Sequence, residues 1–194
     1  MKSRKEVTVR SPVSKRPSAI YQLKITLKDI RPPIWRRVQV PGDITLGDLH
    51  DIIQSVMGWG ESHLHAFVVG DQQFGDPDPE LEFNDERKVR LNDVAGEKSK
   101  FHYEYDFGDS WIHEIVVEKI LPSEPDRGYP VCIKAVRACP PEDCGGPWGY
   151  ADFLDAIKDP KNPEYEEMLD WIGDDFDPEY VDLEEINKIL KQNN

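Results

Sequence analysis

The sequence contains few cysteines and no long apolar run. Its 194 residues include three cysteines, an odd number that argues against a framework of paired disulfides and for a reducing compartment. No stretch approaches the roughly eighteen consecutive apolar residues of a membrane span. Segment 1–18 is basic but lacks the apolar core of a secretory signal. We therefore expect a cytoplasmic protein that does not span a membrane.

Positive charge is scarce beyond the first 18 residues. The chain carries 24 Lys and Arg against 38 Asp and Glu, a formal net charge of −14. Residues 1–18 hold six of the basic residues and one Glu, a charge of +5, so residues 19–194 sum to −19. Affinity for nucleic acids rests largely on neutralising phosphates. Nucleic-acid binding is therefore expected only through the basic tail 1–18, which we interpret as disordered.

The remaining composition is that of one folded domain with a core, which we place at residues 19–194. Apolar residues make up 38% of the sequence and include five Trp, seven Tyr and seven Phe. Segments 19–28 and 34–40 alternate apolar and polar side chains and predict a hairpin. A helix follows, with Thr45 as N-cap, Asp48 as the acid of a capping box and Gly58 as its end.

Strand and helix patterns continue to the carboxyl terminus. A short strand is predicted at 63–70. Residues 70–100 are predicted to be loop-rich, with a helical turn or a short strand at KVRLNDV. Further strands are predicted at 101–107, 111–121 and 131–140. Three helices follow: one burying Tyr150 and Phe153, one opened by Asn162 and Pro163 and ended by Gly173, and one capped by Asp182. The pattern predicts an α+β fold, with a mixed, mostly antiparallel sheet over about 19–140 and a helical cap over about 148–192.

The segment YEYDFGDSWIHEI concentrates aromatic and ionisable side chains in a predicted hairpin. A loop of residues 108–110 would place Tyr105 opposite His113 and Phe107 opposite Trp111. A two-residue turn would pair Glu104 with His113 instead. In either register His113 lies among aromatic rings with a polar neighbour. It is then a buried structural histidine, or alternatively a general base or a metal ligand.

A second group of ionisable residues has spacings that occur in metal sites. His63 and His65 alternate on a predicted strand, so both imidazoles would project from one face. Cys139 and Cys144 are separated by four residues. Together they would complete a Cys₂His₂ zinc site, with His113 as a further candidate ligand. Ordinary buried thiols in a tight, glycine-terminated turn are the alternative, and no cofactor is required by the sequence.

Residues 159–185 form an acidic segment with twelve Asp and Glu and one Lys. A calcium loop starting at Asp175 fails, because Tyr180 occupies the position that requires glycine. Solvated helix faces explain the acids. A docking surface for a basic partner protein is the functional alternative.

Several segments taken together resemble one protein family. These are PPIWRRVQV, LGDLHDIIQSVMGW, HLHAF, YDFGDSWIHEI and CPPEDCGGPWGY, and the family is the Ri-plasmid open-reading-frame-three-like family, some of whose members carry insertion-element passenger or TnpR-like labels. The resemblance covers about residues 20–190 and implies an α+β domain of prokaryotic, mobile-element origin, without agreed catalytic residues. A serine recombinase needs a nucleophilic Ser among clustered Arg and a basic helix-turn-helix. This chain has an acidic body and no such C-terminal module, so resolvase activity is not expected.

Two hypotheses of function follow. The first is a non-enzymatic binding or protein-interaction module with a cleft beside the aromatic hairpin and the acidic cap. Its candidate residues are Tyr105, Asp106, Asp109, Trp111, His113 and Trp148. The alternative is a metal-dependent hydrolase or nuclease that uses zinc or another divalent metal. Its candidate ligands are His63, His65, His113 and an acid from Asp106, Asp109 or Asp143.

Overall fold

The computed structural model describes residues 19–78, 80–173 and 176–193, so the predicted tail 1–18 lies outside the described residues. These residues form one eight-stranded sheet, in the order β5-β4-β3-β6-β7-β1-β2-β8. The first four strands are β1 (Ile20–Leu27), β2 (Trp35–Pro41), β3 (His65–Val69) and β4 (Gln72–Gly75). The others are β5 (Asn84–Asp85), β6 (Lys100–Tyr105), β7 (Trp111–Leu121) and β8 (Val131–Val136).

All neighbouring strands run antiparallel except β4 and β5, which are parallel. The mixed, mostly antiparallel sheet predicted from the sequence is therefore confirmed. The alternation in β1 has the expected effect, since Leu23, Ile25 and Leu27 are buried while the residues between them are partly exposed. The sheet thus has one face that forms the core.

The described residues also contain five α-helices and one turn of 3₁₀ helix at Glu86–Lys88. They are α1 (Leu46–Met57), α2 (Leu91–Val94), α3 (Gly146–Lys158), α4 (Tyr165–Ile172) and α5 (Leu183–Gln192). The predicted capping box of α1 is confirmed, because Thr45 Oγ1 accepts from the Asp48 amide at 3.0 Å and Asp48 Oδ2 accepts from the Thr45 amide at 2.8 Å. Gly58 ends the helix with φ 92°. No helix in the described part of the chain has the length and apolarity needed to cross a bilayer.

Two predicted boundaries were wrong. The loop-rich region 70–100 also contains the short strands β4 and β5 at the edge of the sheet. The helix α4 begins at Tyr165 rather than at Pro163, because Asn162 Oδ1 accepts the Glu164 amide at 2.9 Å and forms a turn before the helix. Its end at Gly173 and the cap of α5 at Asp182 are as predicted.

Both predicted registers of the aromatic hairpin were also wrong. Tyr103 lies opposite His113, and Tyr105 lies opposite Trp111. The connection has five residues, 106–110, because Asp106 Oδ1 accepts the amides of Gly108 at 2.9 Å and Asp109 at 3.3 Å. This side-chain turn ends the strand at Tyr105. The observed partner of His113 thus lies two residues before the predicted Tyr105 and one residue before the alternative, Glu104. His113 still lies among aromatic rings, as predicted in both registers.

Arg36 joins three elements of the fold from inside the core. Its side chain is buried, and burial lowers the pKa of its guanidinium from the ordinary value. Arg36 Nε donates to the carbonyl of Val56 at 2.7 Å, in the last turn of α1. Its Nη1 donates to the carbonyls of Trp35 and Val136, both at 3.1 Å. The carbonyl end of α1 and the β2–β8 pair therefore share one cation, which the helix dipole favours at that end.

Replacing Arg36 with Met should lower the free energy of unfolding by about 3 kcal/mol or more, because buried carbonyls lose a charged donor. The neighbouring Arg37→Met provides the control. Arg37 pairs with Glu118 through contacts of 2.6 and 2.7 Å at a partly exposed site, so its loss should cost about 1 kcal/mol or less. Urea unfolding of both variants measures the difference. Equal effects would contradict the role assigned to Arg36.

Candidate functional site

Three of the sequence candidates converge from three separate loops. His63 Nε2 lies 3.1 Å from Asp143 Oδ1, and His63 Nδ1 lies 3.7 Å from Asp106 Oδ2. One ligand atom of each residue lies within 4.8 Å of the others. Asp106 is largely buried and Asp143 is exposed, so the cluster opens to solvent on the Asp143 side. We refer to these three residues as the His63 cluster.

The loop that follows β6 fixes the orientation of Asp106. Its Oδ1 accepts two backbone amides, as described above, and this leaves Oδ2 directed at His63. The opposite wall comes from the turn before α3, where Asp109 Oδ2 accepts the Gly145 amide at 3.1 Å. Gly146 lets the two backbones approach, since a Cβ there would lie 2.4 Å from the Asp109 carbonyl oxygen.

A network around Tyr105 brings segment 59–63 against segment 140–143. The buried Tyr105 hydroxyl donates to Glu142 Oε1 at 2.5 Å and accepts the Ser62 amide at 3.0 Å. Glu142 Oε2 accepts the Gly60 amide at 3.0 Å, and Trp59 Nε1 donates to the Pro140 carbonyl at 3.0 Å. Burial, followed by the hydrogen bond to Glu142, raises the pKa of Tyr105 far above its ordinary value. His63 and Asp143 each lie beside a residue of this network.

His65 belongs to a different polar cluster. Its Nε2 lies 2.9 Å from Glu86 Oε2, and its ring stacks on His50 with centroids 3.5 Å apart. His50 Nδ1 lies 2.8 Å from the Tyr103 hydroxyl, which also accepts from Gln54 at 3.0 Å. Burial, and secondly His65, lower the pKa of His50 to about 3. The prediction that His63 and His65 project into one site was wrong, because β3 begins at His65 and His63 lies in the loop before it.

The other hairpin candidates lie in the core rather than in a cleft. Tyr105, Trp111 and His113 are all buried. His113 Nδ1 lies 2.9 Å from the Trp111 carbonyl, so this nitrogen carries the proton and donates. Burial lowers the pKa of His113 to about 4. These three side chains are therefore not accessible to a partner protein or to a metal ion at the surface. The predicted cleft does not include them.

The cysteines do not complete the predicted zinc site. Cys132, Cys139 and Cys144 are free thiols. Burial raises the pKa of Cys144 to about 12 and that of Cys139 further. Two clusters of potential metal ligands exist in the part of the chain that the structure describes, the His63 cluster and His50 with Asp51 and Glu61. Neither contains a cysteine, so Cys139 and Cys144 do not converge with His63 and His65.

Two concave surfaces lie on either side of α3. A cavity of about 990 Å³ lies between the β1–β2 turn, the 106–110 loop and the start of α3. It is lined by Asp109 and by Trp148, which is 85% exposed. A pocket of about 340 Å³ lies between α3 and α4 and contains Trp171, 46% exposed, among acidic side chains. Of the predicted cleft residues, Asp109 and Trp148 therefore do line a surface.

Sequence reasoning missed several residues of these sites. Glu142 and Glu86 carried no recognisable spacing, although each is the partner of a predicted residue, Tyr105 and His65 respectively. His50 could have been found, since His50 and Gln54 stand four residues apart on the buried face of α1. Trp171 was also detectable as an aromatic residue within the acidic segment.

The free energy of unfolding should decrease as the pH is lowered, partly because His113 is buried in its neutral form. Its pKa is about 4 in the folded protein and about 6.5 when unfolded, so the unfolded state binds more protons as pH falls below 6.5. Between pH 7 and 5 His113 should account for a loss of about 2 kcal/mol, in addition to the loss that His50 contributes. Urea unfolding of His113→Gln should show a correspondingly flatter pH dependence in this range. The exposed His102 on β6 is the control, and His102→Gln should keep the wild-type slope.

Three comparisons relate the chain to known proteins. The sequence profile of the family described as plasmid pRiA4b ORF-3-like protein matches residues 19–185. The uncharacterized protein y4hQ of Sinorhizobium fredii (strain NBRC 101917 / NGR234) is 43% identical over 157 residues, which are 78% of this chain and 80% of that protein. The crystal structure of protein of unknown function MM3350 from Methanosarcina mazei Go1 has a TM-score of 0.81 and 42% identity, covering 86% of this chain and 97% of that one. The chain therefore belongs to the plasmid pRiA4b ORF-3-like family.

Proposed function

We propose that the protein is a non-enzymatic interaction module whose helical cap binds a basic segment of a partner protein. The observation that carries the proposal is the α3–α4 pocket, where four acidic side chains, three of them without an ion-pair partner among the described residues, surround a half-exposed tryptophan. We call this the cap pocket. Its acidic members are Asp143, Asp152, Glu164 and Glu167.

The floor of the cap pocket is apolar and aromatic. Phe153 is buried, and the Trp171 ring meets it edge-on with centroids 5.8 Å apart. Phe176 packs against the same Phe153 ring at 5.3 Å, and Met168 completes the lining beside Trp171. These contacts hold the Trp171 ring in place while nearly half of its surface faces solvent. A fixed, accessible indole is a frequent anchor in protein interfaces.

The rim of the cap pocket carries uncompensated negative charge. Asp152, Glu164 and Glu167 form no ion pair with Lys or Arg among the residues that the structure describes. Favourable placement at the amino end of α4 explains Glu164 and Glu167 in structural terms. It does not explain Asp152, which lies on α3 and faces the same pocket. A cationic occupant accounts for acids on both helices.

The chemistry of a Lys or Arg side chain matches this arrangement. Its aliphatic stem can lie on Trp171, its charge attracts the indole face, and its donors reach the rim carboxylates. The volume of about 340 Å³ falls at the lower end of ligand pockets, which suits one or two such side chains. The net charge of −14 further favours encounter with a basic partner.

A labelled peptide of about twelve residues with four Arg in a Gly/Ser background tests the proposal, with fluorescence anisotropy as the readout. Glu164→Gln/Glu167→Gln should weaken binding at least about tenfold, because the lost carboxylates face the pocket. Asp155→Asn/Asp170→Asn removes two charges from the same helices outside the pocket and should weaken binding about twofold or less. Trp171→Leu should cost about fivefold.

Equal weakening by the two double variants would contradict the proposal, since it would reduce binding to non-specific attraction. Absence of saturable binding of the wild-type protein would contradict it too. Thermal unfolding of every variant establishes that a loss of binding is not a loss of fold. All titrations contain a chelator, so that they report the peptide alone.

A further inference from the structure

We propose that the His63 cluster is a binding site for a divalent transition-metal cation. The cluster offers one imidazole nitrogen and two carboxylate oxygens, from His63, Asp106 and Asp143, with donor atoms within 4.8 Å of one another. This spacing allows all three to approach a common cation at about 2.0–2.2 Å after small side-chain rotations. The residues come from three separate segments that the Tyr105 network holds together.

The buried nitrogen of the cluster lacks a hydrogen bond. Within the described residues, His63 Nε2 is inaccessible to solvent and has no hydrogen-bond partner, because its 3.1 Å contact with Asp143 Oδ1 does not have hydrogen-bond geometry. Asp106 Oδ2 and the Asp143 carboxylate accept no hydrogen bond either, although Asp106 Oδ1 accepts two. Buried polar atoms in folded proteins are nearly always satisfied. An orphaned imidazole nitrogen beside two carboxylates is what a metal ion would satisfy.

The surroundings resemble the supporting contacts of metal ligands. The amides of Gly108 and Asp109 orient the Asp106 carboxylate from behind. The His63 ring rests edge-on against Tyr105, with centroids 5.7 Å apart, and Tyr105 is itself fixed by Glu142. Asp143, whose side chain is 71% exposed, provides the entry side. Two ligands are therefore pre-positioned, and the third can close on the ion.

The ligand set indicates which ions would bind. Mixed nitrogen and carboxylate ligands suit Mn²⁺, Fe²⁺ or Zn²⁺, whereas Ca²⁺ requires six to eight oxygen ligands. Three protein ligands leave positions for water. The metal-dependent hydrolase that the sequence suggests as an alternative requires such a site. The hydrolase activity itself stays a prediction.

Isothermal titration of the full-length, chelator-treated protein with Mn²⁺ and with Zn²⁺ tests the site. The wild-type protein should bind one ion per chain. His63→Gln and Asp106→Asn should each weaken binding at least about tenfold, in the range known for loss of metal-site residues. Asp106→Asn retains the Oδ1 acceptor of the turn and should keep the fold. His102→Gln/Asp155→Asn, which removes an exposed His and an exposed Asp outside both the cluster and the cap pocket, should bind like the wild type.

Two outcomes would overturn the proposal. Absence of stoichiometric binding at 1 mM of either ion would reduce the cluster to a polar contact between His63 and its two acids. Binding that persists in both single variants would place the ion elsewhere, for example at His50 with Asp51 and Glu61. Asp143 also borders the cap pocket, so both test variants leave Asp143 in place. His63→Gln and Asp106→Asn should both bind the basic peptide like the wild type when chelator is present. Failure of the metal proposal is therefore distinguishable from failure of the peptide proposal.

Discussion

The hydrogen bond from Tyr105 to Glu142 is the contact on which both candidate sites depend. A core strand, the loop that carries His63 and the turn before α3 meet at one buried hydroxyl. Its acceptor is a partly buried carboxylate, and hydrogen bonds to charged acceptors are strong. The second oxygen of Glu142 takes the Gly60 amide, so the carboxylate is satisfied on both sides. This arrangement sets the position of Asp143, which both the His63 cluster and the cap pocket use.

The parts of the fold that local chemistry determines were predictable. Thr45, Gly58 and Asp182 act within one helical turn of their own position, and all three caps are as expected. The hairpin register was not predictable, because the spacing allowed turns of two or three residues. The decisive group was a side chain, since Asp106 accepts the amides that would otherwise continue the strand pairing. The short edge strands β4 and β5 lacked enough residues for a periodic signal.

The site was predictable in its residue types but not in its grouping. His63, Asp106 and Asp143 were all among the sequence candidates for metal ligands, yet His63 was grouped with His65 on the assumption that both lay within one strand. The observed partners of His63 lie far along the chain, at 106 and 143, where no periodicity connects them. The role of Glu142 was equally hidden in the sequence. It becomes visible only once the loop at 62 and the loop at 142 are folded onto the Tyr105 hydroxyl. Trp111 and Trp148 look alike in the sequence, but one is 1% and the other 85% exposed.

The shared carboxylate has an electrostatic consequence for the two proposals. Asp143 lies 3.1 Å from His63 Nε2 and also borders the cap pocket. A divalent cation held by the cluster would offset the negative charge of Asp143 on one wall of that pocket, and it would turn Asp143 away from any second cation. A basic segment in the pocket would in turn compete for the same carboxylate. Coupling of this kind is reciprocal, so each cation would weaken the other by the same factor. A single exposed aspartate would then determine whether the cap carries a metal ion or a basic partner.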